Sequence, residues 1–266
     1  MNATCPPPNM SILRGRRGLT GAGTWSLMIA GGCGSAWLWN ANKVDIRMIV
    51  APSVLAVWDK SGGDYGAVVM AAKQALAAGA DWVHVDVMDG VYVPAMTFGV
   101  EMVEKLQGTG VLDVHLMVER PELVVRDYVG AGADRVVFHP STCDDVGSTL
   151  RMIRDLGAVA GLAMDVDEDV SWLAPWFEPM EEPLVEQVLV MTVKAGAGGQ
   201  AFRHDMLEKV RAVRRMVGPD VTIVLDGGVN ANVVAECKAA GADAVVAGSA
   251  VFGAADVKAA IAGLRG

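Results

Sequence analysis

Residues 78–90 read AGADWVHVDVMDG, which indicates the end of a helix followed at once by a buried β-strand. Gly79 stands where helices commonly end in a left-handed residue, and an apolar run rich in valine starts at Trp82. Within this run His84 and Asp86 lie two positions apart, so on a strand both side chains point to the same side. Because an unpaired polar group is costly to bury among apolar neighbours, the pair predicts a metal site or a catalytic role.

The same unit of helix, glycine and strand recurs along the chain. The letters AGAD occur three times, at residues 78–81, 131–134 and 240–243. From Met48 onward, short runs of branched residues alternate with helical stretches, which is typical of a parallel sheet covered by helices. The predicted strands are residues 49–55, 82–86, 112–117, 135–139, 159–164, 187–193, 222–226 and 244–248. Eight such units in about 220 residues favour one α/β domain, a (β/α)8 TIM barrel, over an open doubly wound sheet.

Composition restricts the class of protein. The chain has 266 residues, of which 52% are hydrophobic and 20% charged, as in a globular protein with a large core. The net charge of −9 argues against a nucleic-acid or anionic-membrane surface and favours a small-molecule substrate. The four cysteines show no C-x-x-C spacing, so we expect reduced thiols in an intracellular compartment.

The first 47 residues differ in character from the rest. Up to residue 42 they include three arginines and no acidic residue, and residues 25–39 form an apolar stretch rich in glycine, alanine and tryptophan. That stretch is too short and too rich in glycine to predict a membrane span. We therefore expect an extension over residues 1–47 and the barrel over residues 48–266. The extension is either a targeting segment for a plastid or mitochondrion, or the product of an upstream start codon before Met48 in a cytoplasmic protein.

Polar residues cluster where the predicted strands end, and this is the face of a TIM barrel that carries chemistry. They are Ser53, His84, Asp86, His115 and Asp226, and the unusual residue Gly248 lies at the same face. His115 lies on the third strand at the depth of the first pair, and Asp226 ends the seventh strand, across the mouth from Asp86. Imidazoles mixed with carboxylates predict a divalent transition metal such as zinc, iron(II) or manganese(II).

Three glycine-bearing turns follow the last three strands, at residues 196–199, 227–228 and 248–249. Backbone amides in such turns approach anions closely, and late loops of a barrel commonly hold phosphate. Three methionines near the same strand ends, Met88, Met117 and Met191, are interpreted as an apolar wall or as core. A phosphate-binding site, a metal and two opposed carboxylates together predict abstraction of a proton from the carbon next to a carbonyl, with inversion at the carbon that loses the proton.

Nine segments of four to seven residues match the sequence pattern of a known family. They are APSVL (51–55), HVDVMDG (84–90), VPAMTFG (93–99), DVHLMV (113–118), LAPW (173–176), LVMTV (189–193), GGQAF (198–202), DGGV (226–229) and AGSAVFG (247–253). On these segments, the chain from about Met48 to its end resembles the ribulose-phosphate 3-epimerase family of the pentose phosphate pathway.

The resemblance implies interconversion of D-ribulose 5-phosphate and D-xylulose 5-phosphate by two-base proton transfer at C3 through an enediolate. It implies that Asp86 accepts the proton and Asp226 donates one. The implied ligands of one divalent ion, Fe²⁺, Zn²⁺, Mn²⁺ or Co²⁺, are His84, Asp86, His115 and Asp226. The implied substrate contacts are Ser53, His115, Gly196, Ala197, Gly198, Gly199, Asp226, Gly227, Gly228, Gly248 and Ser249. The expected partners are a phosphosugar and further copies of the chain, in a homodimer or larger homo-oligomer.

The loop over the expected substrate departs from the family pattern. The family usually has an acidic or amide residue followed by Pro-Gly-Phe-Gly-Gly, whereas residues 194–199 read KAGAGG. Loss of the proline and the aromatic ring predicts a looser loop. The open alternatives are an epimerase of another ketose phosphate, a decarboxylase or aldol lyase of the same architecture, and a non-catalytic phosphosugar-binding protein. The decarboxylase or lyase would need a lysine between the acidic residues of the second and third strands, and residues 84–86 lack one.

Overall fold

A computed structural model describes residues 47–177 and 183–266 of the chain. Eight parallel strands form one sheet in the order β1-β8-β7-β6-β5-β4-β3-β2. Their bounds are β1 Ile49–Ala51, β2 Trp82–Met88, β3 Val111–Met117, β4 Arg135–Phe138, β5 Val159–Met164, β6 Gln187–Met191, β7 Thr222–Asp226 and β8 Ala244–Val246. A parallel bridge between Ser53, two residues after the end of β1, and His84 on β2 closes the ring. The predicted TIM barrel is therefore confirmed.

Helices follow the strands and cover the outside of the barrel. Within the described residues they are α1 Leu55–Ser61, α2 Tyr65–Ala77, α3 Val100–Leu106, α4 Val125–Gly130, α5 Val146–Asp155, α6 Met206–Val217, α7 Val234–Ala240, α8 Ser249–Phe252 and α9 Val257–Gly263. Short 3₁₀ helices lie at Pro121–Leu123, Pro140–Thr142 and Val170–Trp176. None of the helices in this part of the chain is long and apolar enough to cross a membrane. The predicted extension lies outside the described residues apart from Arg47, and its boundary stays a prediction.

The predicted strand ends needed correction. The strands β1, β4, β6 and β8 end one to four residues earlier than predicted, at Ala51, Phe138, Met191 and Val246, and β2 runs two residues further, to Met88. In β1 the cause is Pro52, which has no backbone N–H to continue the ladder. The chain turns there, and α1 begins at Leu55. The residues that we expected to be strand thus form the first part of the loops at the carboxyl face.

The AGAD repeats have a structural role beyond ending a helix. Their glycines have positive φ angles of 104°, 112° and 108°, at Gly79, Gly132 and Gly241. The aspartate two residues after each glycine accepts a hydrogen bond from a backbone N–H of the preceding strand. The pairs are Asp81 with the amide of Val50 (2.9 Å), Asp134 with that of Leu112 (2.8 Å) and Asp243 with that of Ile223 (2.9 Å). Each repeat therefore ties the start of one strand to the strand beside it.

Candidate active site

The barrel brings two imidazoles and two carboxylates together at its carboxyl face. His84 and Asp86 lie on β2, His115 is the register partner of Asp86 on β3, and Asp226 ends β7. One ligand atom from each of the four residues lies within 4.8 Å of the others. The two histidines and Asp86 are buried, whereas Asp226 is partly exposed. The four residues predicted as metal ligands therefore converge in space.

The two histidines aim unpartnered nitrogen atoms at the carboxylates. His84 Nε2 lies 3.2 Å from Asp86 Oδ1 and 3.7 Å from Asp226 Oδ2. His115 Nδ1 lies 3.5 Å and 3.7 Å from the same two oxygens. Neither nitrogen makes a hydrogen bond of acceptable geometry, although both are fully buried. Buried nitrogens without partners, facing carboxylate oxygens, fit the donor set of a divalent transition metal.

The charges in this cluster favour a bound cation. Burial by itself lowers the pKa of His84, but the Asp86 carboxylate and the hydrogen bond to Asp113 outweigh burial and hold the pKa of His84 well above its usual range. Burial also opposes charge on His115, yet Asp226 and Asp86 raise its pKa. Burial alone would raise the pKa of Asp86, but His84 and His115 lower it below the ordinary range. A field that stabilises positive charge on both rings stabilises a metal cation in the same place.

Further polar side chains contact Asp86 and His115 outside the metal-ligand cluster. The hydroxyl of Ser53 donates to Asp86 Oδ2 at 2.6 Å, so the carboxylate keeps its other oxygen towards the histidines. His139 lies behind His115, with their Nε2 atoms 3.0 Å apart. Burial and the neighbouring His115 lower the pKa of His139 well below its usual range, so this ring is neutral. His204, in contrast, is exposed and pairs with Glu236.

A cavity of about 250 Å³ opens beside the two carboxylates. Its lining includes Ser53, Asp86 and Asp226, and the three methionines Met88, Met117 and Met191. It also includes all the predicted glycine turns: residues 196–199, 227–228 and 248–249. His115, which we expected to contact the substrate as well, does not line this cavity and is fully buried. The other predicted substrate contacts share one cavity with the carboxylates.

The cavity also contains residues that the sequence did not reveal as candidates. Asp59 and Lys60 come from α1, and Gln200 follows the glycine turn after β6. Lys60 is the only lysine or arginine among the described residues that line the cavity. No motif signal marks it, because its position depends on how α1 packs beside α8, where Lys60 Nζ donates to the carbonyl of Phe252 at 3.3 Å.

The unusual loop after β6 is held by its own contacts. The side chain of Gln200 donates to the carbonyls of Lys194 (2.8 Å) and Ala197 (2.9 Å). The ammonium of Lys194 lies 3.2 Å from Asp167, in the loop after β5. Gly196 has φ of 104°, and a Cβ there would lie 2.9 Å from the Cβ of Val93. The loop thus has contacts from an amide side chain and an ion pair where the family pattern has a proline and an aromatic ring, and its predicted looseness stays a prediction.

Comparison with known proteins gives one consistent result. A sequence model described as the Ribulose-phosphate 3 epimerase family matches residues 26–252. Ribulose-phosphate 3-epimerase of Serratia marcescens is 38% identical over 218 residues, covering 80% of this chain and 99% of the relative. The protein of the same name from Escherichia coli strain K12 is 39% identical over 225 residues, covering 82% and 95%. That from Mycobacterium tuberculosis strain CDC 1551 / Oshkosh is 41% identical over 222 residues, covering 82% and 91%.

Solved structures share the architecture at low identity. Orotidine 5'-phosphate decarboxylase from Pyrococcus horikoshii OT3 superposes with a TM-score of 0.59 at 16% identity, covering 82% of this chain and 100% of the other. 3-Keto-L-gulonate-6-phosphate decarboxylase from Vibrio cholerae O1 biovar El Tor gives a TM-score of 0.59 at 16% identity, covering 82% and 95%. At this level of identity the likeness concerns the fold alone.

Proposed function

The chain belongs to the ribulose-phosphate 3-epimerase family and is an isomerase, and from this premise we propose that it interconverts D-ribulose 5-phosphate and D-xylulose 5-phosphate. The observation that carries the proposal is the pair of carboxylates. Asp86 on β2 and Asp226 on β7 line the same cavity and converge on two buried histidines. Inversion at one carbon needs a proton acceptor and a proton donor, and two separate carboxylates supply both.

We propose that His84, Asp86, His115 and Asp226 hold one divalent ion, either Fe²⁺, Zn²⁺, Mn²⁺ or Co²⁺. The unpartnered Nε2 of His84 and Nδ1 of His115 fit this role, since no hydrogen bond would be lost on binding. When bound, such an ion supplies a Lewis acid that polarises the carbonyl next to C3 and stabilises the negative charge of the enediolate.

In the proposed reaction Asp86 removes the proton from C3, and the electron pair moves towards the neighbouring carbonyl to give the enediolate. Asp226 then gives a proton to the opposite face of C3, which inverts that centre. The Ser53 hydroxyl, 2.6 Å from Asp86 Oδ2, keeps the accepting carboxylate in one orientation. The wall of Met88, Met117 and Met191 keeps water away from the reacting carbons.

The phosphate of the substrate is proposed to bind at the three glycine turns. A Cβ at Gly228 would lie 2.5 Å from the amide nitrogen of Phe202, so only glycine lets this turn pack against the β6 loop. Gly227 and Gly228 have φ angles of 120° and 66°, conformations that favour glycine. The exposed backbone amides of such turns are donors for phosphate oxygens.

Isotope exchange tests the proposal directly. We expect the purified full chain with Mn²⁺ and ribulose 5-phosphate in deuterated water to form xylulose 5-phosphate with deuterium at C3, measured by NMR. Asp86→Asn and Asp226→Asn should each lower kcat by about 100- to 10,000-fold, the range for general acid–base groups. Asp155→Asn, an exposed carboxylate on α5, is the matched control and should behave as wild type.

Other outcomes would support the alternatives. Exchange with another ketose phosphate, and none with ribulose 5-phosphate, would favour a different epimerase. Tight phosphosugar binding without exchange, with metal bound, would favour a non-catalytic binding protein. Circular dichroism of the two Asn variants should match the wild-type spectrum, because a loss of fold would remove the basis for assigning their roles.

A further inference from the structure

A buried polar chain leads from the amino-terminal side of the barrel to His84. Asp113 on β3 is the register partner of His84, and its carboxylate Oδ2 lies 2.8 Å from His84 Nδ1. Gln187, the first residue of β6, donates from Nε2 to Asp113 Oδ1 at 2.9 Å. Arg135, the first residue of β4, donates from Nε to Gln187 Oε1 at 2.5 Å. Four strands, β2, β3, β4 and β6, thus contribute to one continuous set of hydrogen bonds.

The direction of every hydrogen bond in this chain follows from its arginine. A guanidinium only donates, so the Gln187 oxygen must face Arg135 and the Gln187 amide nitrogen must face Asp113. An ionised carboxylate only accepts, so Asp113 takes a hydrogen bond from Gln187 on one oxygen and from His84 on the other. His84 therefore carries its proton on Nδ1. In the neutral form that metal ligation requires, the ring presents the lone pair of Nε2 to the carboxylate cluster.

The hydrogen-bonded residues Asp113, Gln187 and Arg135 are packed closely by their neighbours in the barrel interior. Asp113 and Gln187 are fully buried. Gly161 on β5 is the register partner of Gln187, and a Cβ there would lie 3.0 Å from the Gln187 Cβ and 2.8 Å from its carbonyl oxygen. The guanidinium of Arg135 lies 4.3 Å from the ring centre of Trp82, which holds it in place. A buried carboxylate without such partners would be strongly unfavourable.

We propose that Asp113, Gln187 and Arg135 are positioning residues that fix the tautomer and ring plane of His84, so that its Nε2 faces the metal. This inference rests on the proposed function, since it concerns the same metal centre. The inference is based on the hydrogen-bond donors and acceptors of these three residues, which do not contact the carboxylates of Asp86 and Asp226. Partners of this kind typically change metal affinity by about 10- to 100-fold when they are removed.

Manganese binding tests the inference without any measurement of turnover. The full chain is stripped of metal and titrated with Mn²⁺ alone, and free Mn²⁺ is followed by electron paramagnetic resonance. Gln187→Leu removes the donor to Asp113 at similar size, and Gln187→Glu keeps the Arg135 partner but, when ionised, cannot donate. We expect both variants to raise the Mn²⁺ Kd by about 10- to 100-fold. Gln74→Leu makes the same chemical change on an exposed face of α2 and should leave Kd unchanged.

A purely structural role for Gln187 would lower the melting temperature of the metal-free protein and leave the Mn²⁺ Kd at the wild-type value. That result would overturn the inference while the proposed function stood. If wild type itself bound no Mn²⁺, the proposed metal centre would fail, and the inference with it. If the Gln187 variants do not fold, nitrogen-15 NMR of the wild-type zinc form decides. We expect a protonated Nδ1 on His84, and an unprotonated Nδ1 would overturn the inference.

Discussion

At the scale of single residues, Asp86 has its two oxygens in different surroundings. Oδ1 faces the nitrogens of His84 and His115, at 3.2 Å and 3.5 Å, while Oδ2 accepts from the Ser53 hydroxyl. The hydroxyl lies on the loop that closes the barrel between β1 and β2. Ser53 therefore acts on the orientation of the proposed base and does not itself need to transfer a proton.

Replacement of Ser53 tests this role. Ser53→Ala removes a hydrogen bond to a charged group, which is worth about 1.5–3 kcal/mol in similar settings. We expect kcat to fall by about 10- to 100-fold, with correct folding and unchanged stereochemistry of the product. Steady-state kinetics with ribulose 5-phosphate measures the effect. Ser148→Ala, on the exposed face of α5, is the control, and a Ser53→Ala variant with wild-type kcat would contradict the argument.

Lys60 leads to a second prediction at this scale. Among the described residues that line the cavity it is the only basic side chain, and three lining carboxylates, Asp59, Asp86 and Asp226, would repel a phosphate dianion. Because Lys60 is exposed, we expect Lys60→Met to raise KM by only about fivefold, with little change in kcat. The increase should shrink at high salt, where the charge is screened. Lys73→Met on α2 is the control, and an equal KM for both variants would refute the assignment.

At the scale of elements, the aspartates of the AGAD repeats link neighbouring strands at the amino face of the barrel. Asp243, at the start of β8, accepts from the amide of Ile223 on β7 and pairs with Arg214 on α6. The carboxyl ends of the same strands carry the proposed chemistry. The stabilising contacts and the proposed catalysis are thus located at opposite faces of the same elements.

This separation predicts the phenotype of Asp243→Ala. Loss of charged hydrogen bonds to a partly buried amide and a guanidinium should lower the free energy of unfolding by about 2–3 kcal/mol. The value of kcat at 25 °C should stay near wild type, because the site lies at the other face. Urea denaturation and kinetics on the same preparation measure both quantities. Asp155→Ala is the exposed control, and a large loss of kcat in folded Asp243→Ala would contradict the separation.

Sequence patterns predicted the elements well because each barrel unit is local. The glycine and the apolar run of each unit lie within about ten residues, and the metal ligands lie at strand ends that the barrel topology brings together. The chain from Arg135 through Gln187 to Asp113 was not predicted. Its members come from three strands, and their contacts depend on the register across the barrel. The predicted ends of β1 and β6 were wrong because branched apolar residues such as Val54 and Val193 continue into the loops after these strands.

At the scale of the whole molecule, the proposed metal ligands lie on three strands from distant parts of the ring. His84 and His115 come from β2 and β3, and Asp226 comes from β7. An unfolded chain does not hold these groups within 4.8 Å of one another, so the proposed metal would bind the closed barrel in preference to the unfolded chain.

Metal should therefore stabilise the whole barrel. We expect Mn²⁺ at 100 times its Kd to raise the free energy of unfolding by about 2.7 kcal/mol, seen as a higher melting temperature in calorimetry. His84→Ala and His115→Ala should abolish most of the increase. His204→Ala, an exposed histidine outside the site, should retain it. A similar increase in all three variants would show that Mn²⁺ binds elsewhere.

The predicted homo-oligomer and the place of residues 1–47 remain predictions. Light scattering of the purified full chain measures the assembly, and mass spectrometry of the protein from its native cells identifies its first residue. A mature chain that starts near Met48 would support either cleavage or a later start codon. The compartment in which the protein is found would then distinguish the two interpretations.

The closure of the barrel also bears on synthesis by the ribosome. The ladder between β1 and β8 pairs Ile49 with Ala244, about 200 residues later in the chain, and Asp226 on β7 is made almost as late. A nascent chain holds His84, Asp86 and His115 long before the residue that completes the cluster leaves the exit tunnel. The proposed proton exchange needs Asp226, so on this mechanism it begins only after translation is nearly finished.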